Sequence, residues 1–137
     1  MFFNDNKSEN KNELDKVAAL LIHAAKIDEN YSIIEDKIIR ESLLVIGADS
    51  KNIDKILENG KAIEENSNQI LEFTKEVKNM NDKDKIKIIE TLWRIIYSNK
   101  EADIYETNLM RRLGGLLYID SKVMGQIKQK IEMENSK

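Results

Sequence analysis

Residues 28–40 read D-E-N-Y-S-I-I-E-D-K-I-I-R, and residues 99–111 read N-K-E-A-D-I-Y-E-T-N-L-M-R. Each stretch places an oxygen-bearing side chain, then a glutamate two helical turns on, then an arginine further along: Asp28, Glu35 and Arg40 first, Asn99, Glu106 and Arg111 second. Carboxylate and amide oxygens are hard donors, suited to calcium, magnesium or manganese. An EF-hand is excluded, because that loop needs about twelve residues with a glycine at its sixth position. The first turn is the stronger cation candidate. Asp28 and Glu35 both ionise, whereas Asn99 and Glu106 carry one charge between them and sit beside Lys100. The planar guanidinium forks of Arg40 and Arg111 suit an acidic residue or a helix-end carbonyl, and they are expected to find such partners in equivalent places.

The same residues also fit a purely structural task. Ser32-Ile33-Ile34-Glu35 and Asp103-Ile104-Tyr105-Glu106 both match a capping box, in which the cap oxygen and the third-position glutamate satisfy orphan amides at a helix start. Asp28 is left over on that account. A carboxylate at a helix C-terminus opposes the macrodipole, so turn amides, Arg40 or a bound cation must compensate it.

The elements that position these groups are helices. The chain has no proline and five glycines, and its apolar residues recur at helical intervals, as in Leu14, Val17, Ala18, Leu21 and Ala25, or Ile88, Ile89, Leu92, Ile95 and Ile96. The spacing predicts helices over 12–28, 33–46, 51–65, 69–79, 83–98, 104–118 and 121–134. Gly47 reads as a stop, and Asp49 or Ser50 and Asn81 or Asp82 read as caps. On the helical wheel Asp28 continues the stripe of Leu21, and Glu35 stands one turn before Ile39, so both aim inward.

The chain also aligns with itself. Laying 17–57 on 88–128 sets Leu21 on Leu92, Glu35 on Glu106, Arg40 on Arg111 and Asp49-Ser50-Lys51 on Asp120-Ser121-Lys122. The expectation is a single all-α domain over 12–134, with about seven helices built as two pseudo-repeated three-helix units joined by a linking segment. Residues 1–11 are expected to be loose.

Composition narrows the function classes. At 137 residues the chain suits one core. It has no cysteine, hence no disulfide, zinc-thiolate site or thiol nucleophile, and His23 is its one histidine. His23 falls off the apolar stripe and reads as a rim residue. Charged residues make up 34% with a net charge of −3 and no basic stripe, so nucleic acid is not an expected partner. No apolar run reaches the ~20 residues of a membrane span, and Met1-Phe2-Phe3 leads into a polar stretch rather than a signal core. Direct membrane insertion is not expected, and a cytoplasmic location is. Trp93, Tyr97 and Tyr118 read as core or core edge.

From Leu92-Trp93-Arg94 through Asn99, Glu106 and Arg111 to Leu116-Leu117, and again from Ile27-Asp28-Glu29 through Glu35 to Arg40, the chain resembles the TerB family of tellurite-resistance-associated proteins. That family's pattern is Ala-Asp-Gly, a spacer, a Glu opening the next helix, and an Arg before a leucine pair. Here the glycine is Glu29 in one copy and Lys100 in the other, and the second Asp is Asn99. The resemblance covers roughly 14–131. It implies a helical fold shared with a segment of certain DnaJ-type co-chaperones, a non-enzymatic role in stress and tellurite resistance, and divalent metal binding through the acidic motif. A protein partner is expected. The other expectation is an interaction adaptor whose acidic turns only cap helices.

Overall fold

The computed structural model describes the backbone over residues 2–26, 33–66, 74–75, 77–98 and 104–135, with side chains at 14–26, 33–66, 74–75, 77–98 and 107–134. Among the described residues there are six helices and no strand: α1 (Phe2–Lys26), α2 (Ile33–Ile46), α3 (Ile53–Asn66), α4 (Asp82–Tyr97), α5 (Ile104–Leu116) and α6 (Ser121–Asn135). The helix expected over 69–79 lies largely outside the described residues. Of that stretch Thr74, Lys75 and Val77 are helical, with Lys78 N–H donating to the Thr74 carbonyl at 2.9 Å. α1 begins at Phe2, well before the expected start and across the stretch expected to be loose. Residues 4–13 contain neither glycine nor proline, so nothing in them interrupts the hydrogen-bonded backbone leading into Leu14.

α1 and α4 are the central helices. Val17 through Ile22 are all fully buried, and α4 buries Ile88, Ile89, Leu92, Trp93, Ile95 and Ile96. Each such Leu or Ile contributes roughly 1.5–3 kcal/mol by leaving water. α3 covers α1, α6 covers α4, α1 and α4 touch each other, and α2 packs across both. Buried Ser42 of α2 meets Thr91 of α4 through their hydroxyls at 2.6 Å, and Thr91 also donates to the Lys87 carbonyl at 2.8 Å.

The helix ends follow from local chemistry. The Asn81 side chain accepts from Asp84 N–H at 2.8 Å and starts α4. Asp49 accepts from Lys51 N–H at 2.9 Å and Asn52 N–H at 3.0 Å ahead of α3, and Asp120 accepts from Lys122 N–H at 2.8 Å ahead of α6. α2 stops at Gly47, which adopts φ +150° while Ala48 N–H donates to the Leu43 carbonyl at 2.9 Å. α5 ends the same way at Tyr118, with φ +58° and Ile119 N–H donating to the Gly114 carbonyl at 2.9 Å. This corrects the reading of Tyr118 as core or core edge. The left-handed turn takes it off the helix stripe and leaves it 77% exposed.

Candidate functional site

The α1–α2 corner is the place to test the acidic motif. Asp28 and the cap position Ser32 lie outside the described residues. Glu35, the third residue of α2, is 1% exposed and is engaged rather than free. A carboxylate so placed must be hydrogen-bonded or paired, since burying it bare costs several kcal/mol. In the second corner Asn99 lies outside the described residues, and Glu106 is on α5 with its side chain outside them. Among the described residues no group of three or more His, Asp or Glu side chains converges on a point that could hold a metal ion.

The two motif arginines stand in different surroundings. Arg40 Nε donates to Asp36 at 2.7 Å, one turn back on α2, and its Nη1 donates to Asp54 of α3 at 2.6 Å. The hydrogen bond to Asp54, then that to Asp36, raises the guanidinium pKa above its ordinary value. Arg111 is exposed and makes no ion pair with another described residue.

Polar contacts elsewhere tie helices along their rims. His23 Nδ1 and Glu64 lie 3.3 Å apart, and Lys26 donates to the same carboxylate at 2.8 Å. Burial pushes the Glu64 carboxyl up, but hydrogen bonds from Lys26 and His23 outweigh it and hold the group below its ordinary value. His23 is thereby an α1–α3 rim residue. Across α4 and α6, Arg94 forks onto Glu134 at 3.2 and 3.1 Å, which lowers the Glu134 carboxyl, and Lys130 pairs with Glu90 at 2.5 Å. Burial, and then donation to Glu132 at 2.5 Å, raises the Tyr97 hydroxyl. Trp93 stacks on Tyr97 with ring centroids 5.8 Å apart, and Lys128 Nζ lies 5.6 Å over its indole. The Lys85 ammonium, buried, donates to the Leu117 carbonyl at 3.1 Å and so compensates the C-terminal end of α5.

Helix order, Glu35 and Arg40 on α2, and Glu106 and Arg111 on α5 are the parts of the acidic motif whose backbone lies within the described residues. The model of the family described as tellurite resistance protein TerB matches residues 14–129. The chain belongs to the TerB family. No curated protein and no solved structure gives a significant match. The TerB match spans both acidic stretches, from α1 to most of α6.

One feature of α2 goes beyond the acidic motif. The side of α2 opposite Glu35 carries Ile33, Ile34, Leu44 and Val45, exposed at 89%, 62%, 44% and 67%. The signal was available, because apolar residues occur all round this helix rather than on one stripe. No described helix is long and apolar enough to cross a membrane.

Proposed function

We propose that this TerB-family chain is a non-enzymatic stress-response and interaction module of the cytoplasm, and that its α1–α2 corner holds a divalent cation through Asp28 and Glu35. The observation that carries the reading is the burial of Glu35 at the first turn of α2, where a carboxylate is retained at 1% exposure. The donor set fits a hard cation: the Glu35 carboxylate in the first turn of α2 and the Asp28 carboxylate, which follows α1 by two residues in sequence, are both suited to calcium, magnesium or manganese. Asn99 and Glu106, with Lys100 beside them, form a poorer set, so the second corner is the relic of the first.

We read the two corners as copies within a doubled three-helix unit. α1 and α4 end at Lys26 and Tyr97, and α2 and α5 begin at Ile33 and Ile104, both pairs keeping the register that sets Leu21 on Leu92. Gly47 and Tyr118, in the same register, both turn with positive φ. The helix over 69–79 would make the seventh element, linking the two units.

The test is thermal unfolding of wild type, Asp28→Asn and Glu35→Gln with and without millimolar calcium, magnesium or manganese. A ligand at a hundred times its Kd stabilises the folded state by about 2.7 kcal/mol. Wild type should gain stability and both variants should not. If no ion stabilises wild type, the cation reading fails and Glu35 is left as a helix-start residue.

A further inference from the structure

α2 is covered on one side only. Glu35, Ile39, Ser42 and Leu43 are buried, and on the opposite side Ile33, Ile34, Lys37, Glu41, Leu44 and Val45 are all exposed. At 100° per residue those six positions fall within an arc of roughly 120° centred away from the core. Four of them are large and apolar, whereas the other exposed large apolar residues among the described ones, Ile86, Tyr118 and Met133, are scattered over α4, the α5–α6 turn and α6. At the 71-residue offset Ile33, Ile34 and Val45 correspond to Ile104, Tyr105 and Leu116, whereas Lys37, Glu41 and Leu44 correspond to Asn108, Arg112 and Gly115, so the charge pair and Leu44 are particular to α2.

The order of residues along the face selects its occupant. From one end to the other it runs apolar pair, lysine, glutamate, apolar pair. Turned end for end about the level of Ile39, Ile33 and Ile34 come level with Leu44 and Val45, and Lys37 comes level with Glu41. The pattern is therefore self-complementary in an antiparallel arrangement, as an isologous two-fold contact requires. In a parallel arrangement Lys37 would meet Lys37 and Glu41 would meet Glu41.

We propose that α2 is a homodimer contact: two copies of this chain pair α2 antiparallel across a two-fold axis, with an apolar cluster at each end and two Lys37–Glu41 pairs between. The stripe is about 18 Å long at 1.5 Å rise per residue. One helix pair of that length buries less than the roughly 800 Å² per partner of a standard interface, so the dimer is a weak one that forms and dissociates readily. The proposal is independent of the cation reading, because Asp28 and Glu35 take no part in the contact.

The test is analytical ultracentrifugation of the full chain from about 10 µM to about 1 mM, with wild type, Lys37→Glu, Glu41→Lys and an equimolar mixture of the two variants, far-ultraviolet circular dichroism checking that each is folded. Wild type should rise from its 15.9 kDa monomer mass toward twice that value as concentration increases. Each single reversal sets like charges against each other at both central pairs and should weaken association at least tenfold. In the mixture one copy presents two glutamates and the other two lysines, so association should return to the wild-type level. A wild type that stays monomeric at 1 mM would overturn the proposal and leave the face to a different protein. So would single variants that associate like wild type, or a mixture no better than its components.

Discussion

Helices α1 and α3 approach through small residues, whereas α4 and α6 meet through large ones. A Cβ added to Gly60 of α3 would stand 2.7 Å from the Ala18 Cβ and 3.1 Å from the Ala19 backbone nitrogen, so the two helices nearly touch main chain to main chain. Seventy-one residues on from Gly60, Ala18 and Ala19 stand Ile131, Ile89 and Glu90. Ile131 and Ile89 are fully buried, and Glu90 is held at the edge by Lys130. The first pair gains close dispersion contact, and the second has room for a rim of charged and aromatic groups: Arg94 on Glu134, Tyr97 on Glu132 and Lys128 over Trp93. One helix order is thus compatible with two interhelical spacings, because volume can be exchanged between facing positions as long as the sum fills the gap.

Opposite substitutions should therefore damage the two pairs. Gly60→Leu drives a side chain into Ala18 and Ala19 backbone atoms that cannot rotate away, and should cost about 3 kcal/mol, at the top of the overpacking range. Ile131→Ala opens a cavity between α6 and α4 and should cost about 3 kcal/mol, within the range for deleting a buried isoleucine. Urea unfolding measures both. A tolerated Gly60→Leu would mean that Gly60 does not set the α1–α3 distance, and the contrast between the pairs would collapse.

The C-terminal turns of α2 and α5 sharpen the comparison at lower energy. Gly47 and Tyr118 both end a helix at positive φ, with the next residue's N–H donating five residues back, but only one is a glycine. A left-handed conformation costs a residue with a Cβ of the order of 1 kcal/mol or more. Tyr118→Gly should raise stability by about 1 kcal/mol, and Gly47→Ala should lower it by about as much. Differential scanning calorimetry on both variants checks the signs. A loss on Tyr118→Gly would show that the exposed ring contributes more than its backbone strain costs.

These two turns also show what can be read from residues alone. Gly47 was legible as a helix stop because glycine is the residue that such a turn selects. Tyr118 was not, because its conformation comes from the hydrogen bonds of Ile119 and Tyr118 back into α5, while an aromatic residue after a leucine pair looks like core. The inward placement of Glu35 followed from its spacing to Ile39. The outward apolar face of α2 is not legible from periodicity, because apolar residues occur on both sides of the helix and spacing alone does not say which side is covered. The buried Ser42–Thr91 pair was equally hidden. The repeat counterparts of Ser42 and Thr91 are Leu113 and Leu20, both fully buried, and no periodicity separates a hydroxyl pair from a leucine pair in such a place.

The smallest expected difference lies in the arginines. Arg40 is forked between Asp36 and Asp54, and at the 71-residue offset those positions hold Thr107 and Gly125, so Arg111 has neither carboxylate. Asp54 is 81% exposed and Arg40 40%, so solvent screens the attraction, and Arg40→Gln should cost only about 0.5 kcal/mol. That cost should fade in about 1 M sodium chloride, where the screening length is only ~3 Å. Arg111→Gln should change stability by less than the ~0.5 kcal/mol scatter of surface substitutions at either salt concentration. The acceptor can then be returned. A Cβ at Gly125 meets nothing within 4 Å, so Gly125→Asp fits, and Gly125→Asn supplies the same shape without charge. If the missing acceptor is what sets Arg111 apart from Arg40, Gly125→Asp should exceed Gly125→Asn in stability by a few tenths of a kcal/mol at low salt, and the excess should vanish in the background of Arg111→Gln. Equal stability of the two variants at low salt would place the difference between the halves in backbone geometry instead of in the loss of an aspartate.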